Sequence, residues 1–328
     1  MTSTRWMLGI FALAAAAIGA RTAAAQIPSP VLLVLNKEGS LAIVDPGPRK
    51  VLATVRTGDT PHEVAASSDG RLAFVSNYGG ATPGHTIWVI NLAARQELRR
   101  VDLGPLRRPH GLAFAGGKLY FTAETNKLIG RYDPAANRID WLLGTGQATT
   151  HMILVSPDLN HIYTANIGSD SITIMDAAGL QNWNETVVPV GMGPEGFDIS
   201  PDGKQLWAAD SRDGSISIID LYSKRVMRTL HVGTKRSNRL KFTPDGRLVL
   251  ISDLDAGELL VMERETHNEV KRMKLGHQPA GILITPDSAR AYVAVTDDDH
   301  VAEIDLKSLE LSALIRTGAG PDGMAWVP

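Results

Sequence analysis

The sequence predicts an all-β protein, a seven-bladed β-propeller with four-stranded antiparallel blades. A unit recurs along the chain at the pitch of about 40–45 residues that one such blade requires. Each clear copy contains four short strand-like segments separated by turn residues. The chain also begins and ends with partial copies that complete each other. The copies open on glycines that lie 46, 40, 47, 42, 43 and 42 residues apart, namely Gly58, Gly104, Gly144, Gly191, Gly233, Gly276 and Gly318.

The repeat is clearest between Val190 and Asp220. An alternating strand begins at Glu195, and Pro201-Asp-Gly then forms a tight turn because proline and glycine favour the backbone angles of turns. Three more strand-like segments follow, and the one that begins at Ser215 alternates apolar and polar residues. These are Leu206–Ala209, Ser215–Asp220 and Val226–Val232.

The two ends of the chain predict how the ring closes. Three strands, Val31–Asn36, Leu41–Asp45 and Val51–Arg56, have no inner strand before them, whereas Asp322–Trp326 is an inner strand with nothing after it. We predict that these segments share one blade, since closure removes sheet edges that would otherwise promote aggregation. The count is six whole blades and one composite blade.

The first 25 residues have a different character. Arg5 precedes an apolar run, Trp6–Ile18, and Ala23-Ala-Ala offers a small-residue cleavage site. The run is shorter than the roughly 20 residues that a membrane span needs. We therefore predict a signal peptide over residues 1–25, a single propeller domain over residues 26–328, and a periplasmic or secreted bacterial protein with no membrane span after processing.

Composition restricts the kinds of partner and cofactor. The chain has 33 Lys and Arg against 35 Asp and Glu, and this balance does not favour a nucleic-acid partner. The absence of Cys excludes thiolate catalysis and thiolate metal ligands. No phosphate-binding or dinucleotide motif is present, so no nucleotide cofactor is expected. We expect a monomer that binds a small or anionic ligand, with a protein partner as an alternative.

The repeat resembles a known family in its turns and in its second strands. Pro201-Asp-Gly and Pro244-Asp-Gly share the turn pattern, and Phe74-Val-Ser-Asn, Tyr163-Thr-Ala-Asn and Trp207-Ala-Ala-Asp share the strand pattern. This is similar to the YVTN-repeat propeller family over about residues 31 to 328. The resemblance implies a seven-bladed propeller and does not specify an activity.

Blade two resembles another propeller family. It has Gly116-Gly-Lys in place of the usual turn, the segment Leu119–Arg131 after it, and Pro109-His-Gly before it. This pattern is similar to the repeat of streptogramin (virginiamycin B) lyases over residues 104 to 143. The resemblance implies a metal-assisted lyase, but it extends over one blade.

Propeller geometry predicts a ring of side chains at one mouth of the central channel, at the first residue of each inner strand. The position lies six residues before the turn proline or its equivalent, and it is occupied by His62, His110, His151, Glu195, Asn238, Ala280 and Asp322. Three consecutive blades supply His although the chain has only nine. Imidazoles and a carboxylate are ligands for divalent metals. We predict a metal site at His62, His110, His151 and Glu195, with Zn, Mn, Fe, Cu and Mg not distinguished.

Two other interpretations of the histidines stay open. Without a metal, clustered imidazoles repel one another when protonated, so their pKa values fall and one beside Glu195 could act as a general base. The histidines could instead only satisfy backbone groups or water.

A second set of polar residues ends the second strands on the same face: Asn36, Asn77, Glu124, Asn166, Asp210 and Asp253. Asn and Asp mostly cap turns at such positions. Glu124 is interpreted as replacing the repeat's Asn, and with His110 and His151 it forms the candidate catalytic group. The candidate ligand contacts are Asn77, Asn166, Asn238, Arg239 and Asp322, with Arg239 suited to an anionic group.

The favoured function is binding of a small ligand at the channel mouth with the help of a divalent metal. One alternative is a metal-dependent lyase or lactonase-like hydrolase, and a second is a noncatalytic scaffold for protein interactions. Fold alone does not choose between them.

Overall fold

A computed structural model describes residues 30–179 and 182–328. This part of the chain forms seven antiparallel sheets of four strands each. The predicted all-β propeller is confirmed. The signal peptide predicted for residues 1–25 lies outside the described residues. Within the described ranges, no helix is both long enough and apolar enough to cross a membrane.

The strands follow one another with short turns. The first half comprises β1 (Val31–Asn36), β2 (Ser40–Asp45), β3 (Lys50–Arg56), β4 (Pro61–Ala66), β5 (Leu72–Asn77), β6 (Thr86–Asn91), β7 (Gln96–Asp102), β8 (Pro109–Ala115), β9 (Lys118–Ala123), β10 (Leu128–Asp133), β11 (Arg138–Gly144), β12 (Thr150–Val155), β13 (His161–Asn166) and β14 (Ser171–Ala177). The second half comprises β15 (Trp183–Pro189), β16 (Pro194–Ile199), β17 (Gln205–Asp210), β18 (Ser215–Asp220), β19 (Arg225–His231), β20 (Ser237–Phe242), β21 (Leu248–Asp253), β22 (Glu258–Glu263), β23 (Glu269–Lys274), β24 (Pro279–Ile284), β25 (Arg290–Val295), β26 (His300–Asp305), β27 (Glu310–Ile315) and β28 (Pro321–Val327). Short 3-10 turns occupy Glu124–Asn126, Ile167–Ser169 and Thr296–Asp298.

Blades one to six are successive groups of four strands from β4 to β27, and the composite blade joins the two chain ends. Its strand order is β28-β1-β2-β3, with Val31 opposite Val327 and Leu33 opposite Ala325. The predicted closure is therefore confirmed. The inner strands, β4, β8, β12, β16, β20, β24 and β28, each contact the next one around the ring.

Large side chains fill the spaces between blades. Phe74 of blade one stacks on Phe114 of blade two with ring centroids 5.5 Å apart. Trp207 of blade four meets Phe242 of blade five edge-on at 5.5 Å. Because aromatic pairs in these geometries add stability beyond their buried area, an aromatic residue in the second strand and one in the next blade's inner strand strengthen the contact at these two blade interfaces.

A β-bulge near the start of each of β4, β8, β12, β16, β20 and β24 directs the ring residues toward the channel. In blade four, Pro194 pairs with Asp210 and Phe197 with Ala208, so two residues oppose one between these pairs. The ring residue Glu195 is one of those two. The ring residues are thus the second residues of their inner strands, not the first as predicted.

Glycine follows the ring residue in four blades because successive inner strands approach closely there. A Cβ on Gly111 would lie 2.5 Å from the carbonyl oxygen of His151 in the next blade. No side chain fits at that distance without moving a backbone. The residues at this repeat position are Glu63, Gly111, Met152, Gly196, Arg239, Gly281 and Gly323.

Candidate metal centre and binding cavity

One cavity of about 340 Å³ opens at the channel mouth, and all seven ring residues line it. Its volume is near the lower end of the range for small-molecule sites, about 300–1,000 Å³. The other lining residues are Arg239 in β20 and a set from the adjacent loops and turns: Lys37, Tyr78, Arg236, Leu254, Gln278, Thr296 and Asp297. The structure therefore brings together Asn238, Arg239 and Asp322 with the predicted metal ligands.

The three histidines stand side by side on one side of the cavity. The rings of His62 and His110 are 5.1 Å apart, and those of His110 and His151 are 3.6 Å apart at an angle of 31°. Burial lowers the pKa of His110 well below its usual value, and the neighbouring histidines lower it further. Burial also lowers the pKa of His62 to about 4, against the attraction of Asp322. Both imidazoles are therefore neutral at neutral pH.

Glu124 is bonded on both of its carboxylate oxygens. His151 Nδ1 lies 2.5 Å from Oε1, and the Tyr78 hydroxyl donates to Oε2 at 2.7 Å. The other ring nitrogen of His151, Nε2, is 3.9 Å from Glu195 Oε1. His151 thus joins Glu124 on one side to Glu195 in the cavity wall on the other.

The interpretation of Glu124 as the replacement for the repeat's Asn is wrong. Strand pairing places Ala123 opposite Pro109, as it places Asn77 opposite Pro61. Glu124 is the residue after that position, and its equivalents in the other blades form a second ring. The members of the second ring are Lys37, Tyr78, Glu124, Ile167, Ser211, Leu254 and Thr296.

Asn77 and Asn166 do not line the cavity, contrary to the ligand contacts predicted for them. Asn77 accepts from the Gly58 N–H at 2.9 Å and donates to Thr86 at 3.2 Å. Asn166 donates to Thr173 at 2.9 Å. Both amides are used within their own blades, which is the turn-capping role that the sequence offered as the alternative.

An ion pair that includes the cavity-lining Arg239 joins blades one and five. Arg239 Nη2 lies 2.5 Å from Glu63 Oε1, and the Arg239 side chain is only 9% exposed. Although burial opposes the charge, Glu63, Asp322 and Glu195 raise the pKa of Arg239. Burial raises the pKa of Glu63, and Arg239 counteracts it. Glu63 and Arg239 occupy the repeat position at which four other blades carry glycine, and their ion pair links opposite sides of the ring.

Asp322 connects the closing strand to the histidine side of the cavity. Its Oδ2 is 3.3 Å from Lys37 Nζ and 3.6 Å from His62 Nδ1. Although burial acts in the other direction, Lys37 and His62 lower the pKa of Asp322. Ring closure therefore also completes the site.

Several buried polar atoms at the cavity have no hydrogen-bond partner in the described protein. They are His110 Nδ1, His151 Nε2 and Arg239 Nη1. Unsatisfied buried groups are uncommon and often mark a missing water or ion. His110, Glu124 and His151 each offer a ligand atom, and these atoms lie within 4.8 Å of one another. A His and Glu group that could hold a metal ion is therefore present.

Sequence reasoning missed Lys37, Tyr78 and Glu63. The first two directly follow the Asn that ends a second strand, and this position faces the cavity in several blades. The signal for Glu63 was a charged residue at a position where four other blades carry glycine.

Comparison with protein families gives a partial match. The model of the cytochrome D1 heme domain matches residues 158–280. Antigen Lp49 of Leptospira interrogans is 24% identical over 127 residues, 38% of this chain and 28% of that protein. Dihydro-heme d1 dehydrogenase of Pseudomonas aeruginosa is 28% identical over 111 residues, 32% of this chain and 21% of that protein. The matches thus span only about a quarter of these curated relatives.

Solved structures share the fold over most of the chain. Hydrazine synthase of Kuenenia stuttgartiensis has a TM-score of 0.67 at 22% identity, covering 80% of this chain and 88% of that one. The periplasmic gluconolactonase of Pseudomonas aeruginosa has a TM-score of 0.73 at 16% identity, covering 92% and 99%. A putative 6-phosphogluconolactonase of Bacteroides fragilis has a TM-score of 0.74 at 14% identity, covering 92% and 98%. At these identities the likeness shows the fold alone. The chain is a seven-bladed β-propeller, and its propeller neighbours are consistent with a YVTN-like repeat.

Proposed function

We propose that this protein binds a divalent metal ion at His110, His151 and Glu195, with His62 as a further ligand, and a small anionic ligand beside it. One observation carries the proposal. The residues at the same position of all seven repeats line one cavity, and two imidazole nitrogens there, His110 Nδ1 and His151 Nε2, are buried without hydrogen-bond partners. Neutral imidazole and carboxylate are the protein ligands of catalytic zinc and related metals.

The charges around the cavity favour a divalent cation. Three positive side chains, Lys37, Arg236 and Arg239, line it with three negative ones, Glu195, Asp297 and Asp322. Two more buried carboxylates, Glu63 and Glu124, lie directly behind. Of these charged side chains, the buried ones are three carboxylates, Glu63, Glu124 and Asp322, and one guanidinium, Arg239, and this excess of buried carboxylates favours a bound cation. Imidazole ligands favour Zn, Cu or Fe over Mg.

The side of the cavity opposite the histidines suits the uncharged part of a ligand. Blades five and six contribute Leu254, Ala280 and Thr296, which are short or uncharged. Arg239 and Lys37 border the same space and could hold an anionic group by charge-assisted hydrogen bonds. The volume of about 340 Å³ restricts the ligand to a small molecule.

The haem d1 in the names of the matching family and of one relative does not fit these residues. A flat macrocycle needs a wide, largely apolar slot. This cavity is small, its lining is mostly charged or polar, and one lining side chain, Arg239, is held in an ion pair with Glu63.

Metal binding is tested on protein without a His-tag, by elemental analysis and by calorimetric titration with Zn²⁺ and with Mn²⁺. The double variant His110→Ala/His151→Ala should lose binding and remain folded. The matched control is His161→Ala, which removes a histidine from a comparable pair with Asp176 at 2.8 Å on the other face. Wild-type affinity in the double variant would reject the proposal.

A second candidate function is hydrolysis or elimination of a cyclic ester. His151 bonds to a carboxylate through Nδ1 and directs Nε2 toward Glu195, which is the arrangement of a general base oriented by an acidic residue. A panel of lactones and depsipeptides, assayed with metal present, tests it. Turnover that falls about 10²-fold or more in Glu124→Gln would support it. No turnover by the wild type, together with no metal binding, would favour the scaffold alternative.

We also propose export to the periplasm, from the apolar run and cleavage site of residues 1–25. Fractionation of a bacterium that expresses the full chain should place the protein in the periplasm, shortened at its N-terminus. Full-length protein in the cytoplasmic fraction would contradict export.

A further inference from the structure

Glu124 occupies the centre of a hydrogen-bonded chain that crosses three blades. Tyr78 of blade one donates to one carboxylate oxygen, and His151 of blade three contacts the other. Both bonds are buried or nearly so, and the Glu124 side chain is only 5% exposed. Each carboxylate oxygen therefore already has a protein partner.

The hydrogen bonds from Tyr78 to Glu124 and between Glu124 and His151 determine which nitrogen of His151 carries the proton. His151 Nδ1 lies 2.5 Å from a carboxylate oxygen of Glu124, and carboxylate oxygens accept hydrogen bonds, so this geometry places a proton of His151 on Nδ1. The lone pair is then on Nε2, the nitrogen without a partner and 3.9 Å from Glu195. A metal ion needs that lone pair, and carboxylate partners of ligating histidines commonly orient it in this way.

Tyr78 is held in place by its surroundings. Its ring packs on His62 with centroids 4.7 Å apart and meets His110 edge-on at 5.5 Å. The Arg108 guanidinium lies over the ring, 4.6 Å from its centroid. Its hydroxyl donates to Glu124 Oε2 at 2.7 Å, so both the ring and the hydroxyl are held in place.

We propose that Tyr78 is a positioning residue that acts through Glu124 to keep His151 in the Nδ1–H form, and that Glu124 is not itself a metal ligand. The ligands then come from His110, His151 Nε2 and Glu195. The part that concerns metal rests on the proposed function above, whereas the part that concerns the tautomer does not.

The experiment combines two measurements on the full chain at one pH. Two-dimensional NMR of ¹⁵N-histidine protein reports the tautomer of His151, with the signal assigned by its loss in His151→Gln. Titration with Zn²⁺ reports affinity for the same samples. The variants are Tyr78→Phe and Glu124→Gln. The control is Tyr132→Phe, which removes another buried hydroxyl, bonded to Asn137 at 2.8 Å, away from the cavity.

We expect wild-type His151 to show a protonated Nδ1 and an unprotonated Nε2. Glu124→Gln should mix the tautomers and weaken Zn²⁺ binding about 10–100-fold, and Tyr78→Phe should change both measurements in the same direction but less, with Zn²⁺ binding weakened up to about 10-fold. Tyr132→Phe should change neither measurement.

Three results would overturn the proposal. They are wild-type His151 with its proton on Nε2, a Tyr78→Phe variant identical to wild type in both measurements, and a Glu124→Gln variant that loses binding as completely as His110→Ala/His151→Ala. The expected tautomer without any metal binding would instead reject the proposed metal function and leave the positioning role of Tyr78 in place.

Discussion

Asp210 ends the second strand of blade four, where blades one and three carry Asn77 and Asn166. Ser215 and Ser217 donate to its Oδ2 at 3.1 and 2.7 Å, whereas Oδ1 is buried without a partner. Asn166 bonds to the equivalent residues, Ser171 and Thr173, through its amide nitrogen. We predict that Asp210→Asn stabilises the protein at neutral pH, because the amide can make the same bonds without a charge.

The magnitude follows from the pKa. Burial raises the pKa of Asp210 from 3.8 to about 7, and the two serines only partly counteract it. The folded state therefore keeps a proton that the unfolded state has lost, so stability falls as pH rises from about 4 to about 7 and stays level above that. Three pKa units at about 1.4 kcal/mol each give an upper limit of about 4 kcal/mol at neutral pH. We expect a measured gain of about 2–4 kcal/mol.

Urea denaturation of both proteins at several pH values checks this prediction. The stability difference should be small near pH 4, grow toward pH 7, and then remain constant. The reciprocal variant Asn166→Asp should lose stability with the same pH dependence. A stability difference that does not vary with pH would refute the reasoning, because it could not come from the charge on Asp210. Asp253→Asn is a contrasting control. Both carboxylate oxygens of Asp253 accept hydrogen bonds from the N–H groups of Lys235 and Arg236, so this substitution should lower the stability of the protein.

Three further predictions concern the ring and the cavity. Deletion of residues 318–328 should expose the edge of β1 and reduce solubility or cooperative unfolding, and a truncated protein that melts like the full chain would contradict the closure. Arg239→Met should lower the free energy of unfolding by about 3–5 kcal/mol in denaturation experiments, because Glu63 is left unpaired. Adding Glu63→Gln should recover part of that loss, and no recovery would show that the two residues are not coupled. Gly111→Ala should lower the free energy of unfolding by about 1–3 kcal/mol and weaken Zn²⁺ binding, because the added Cβ would push against the backbone of His151. The control Gly144→Ala, which has open space around the added Cβ, should change neither by much. A Gly111→Ala protein as stable as wild type would contradict the close approach of these inner strands.

The sequence by itself determined the architecture and half of the site. Turn residues and alternating apolar positions are local signals, and their regular spacing was enough for the number of blades and for the closure by β28. The same spacing identified His62, His110 and His151 as neighbours, because a repeat offset becomes a position on the ring. This inference needed no knowledge of side-chain contacts.

Only the tertiary structure decided the rest. The repeat spacing predicted Glu124 at the last position of the second strand, where other blades carry Asn. Strand pairing places Ala123 there, opposite Pro109, and Glu124 is the next residue. Spacing alone does not set this pairing. The bond from Tyr78 to Glu124 and the pair of Glu63 with Arg239 join residues 46 and 176 positions apart in sequence. Such contacts depend on how far a side chain reaches between blades, a distance set by the packing of the inner strands around the channel. A repeat pattern records the path of the backbone, whereas the chemistry of the cavity depends on side chains that meet across it.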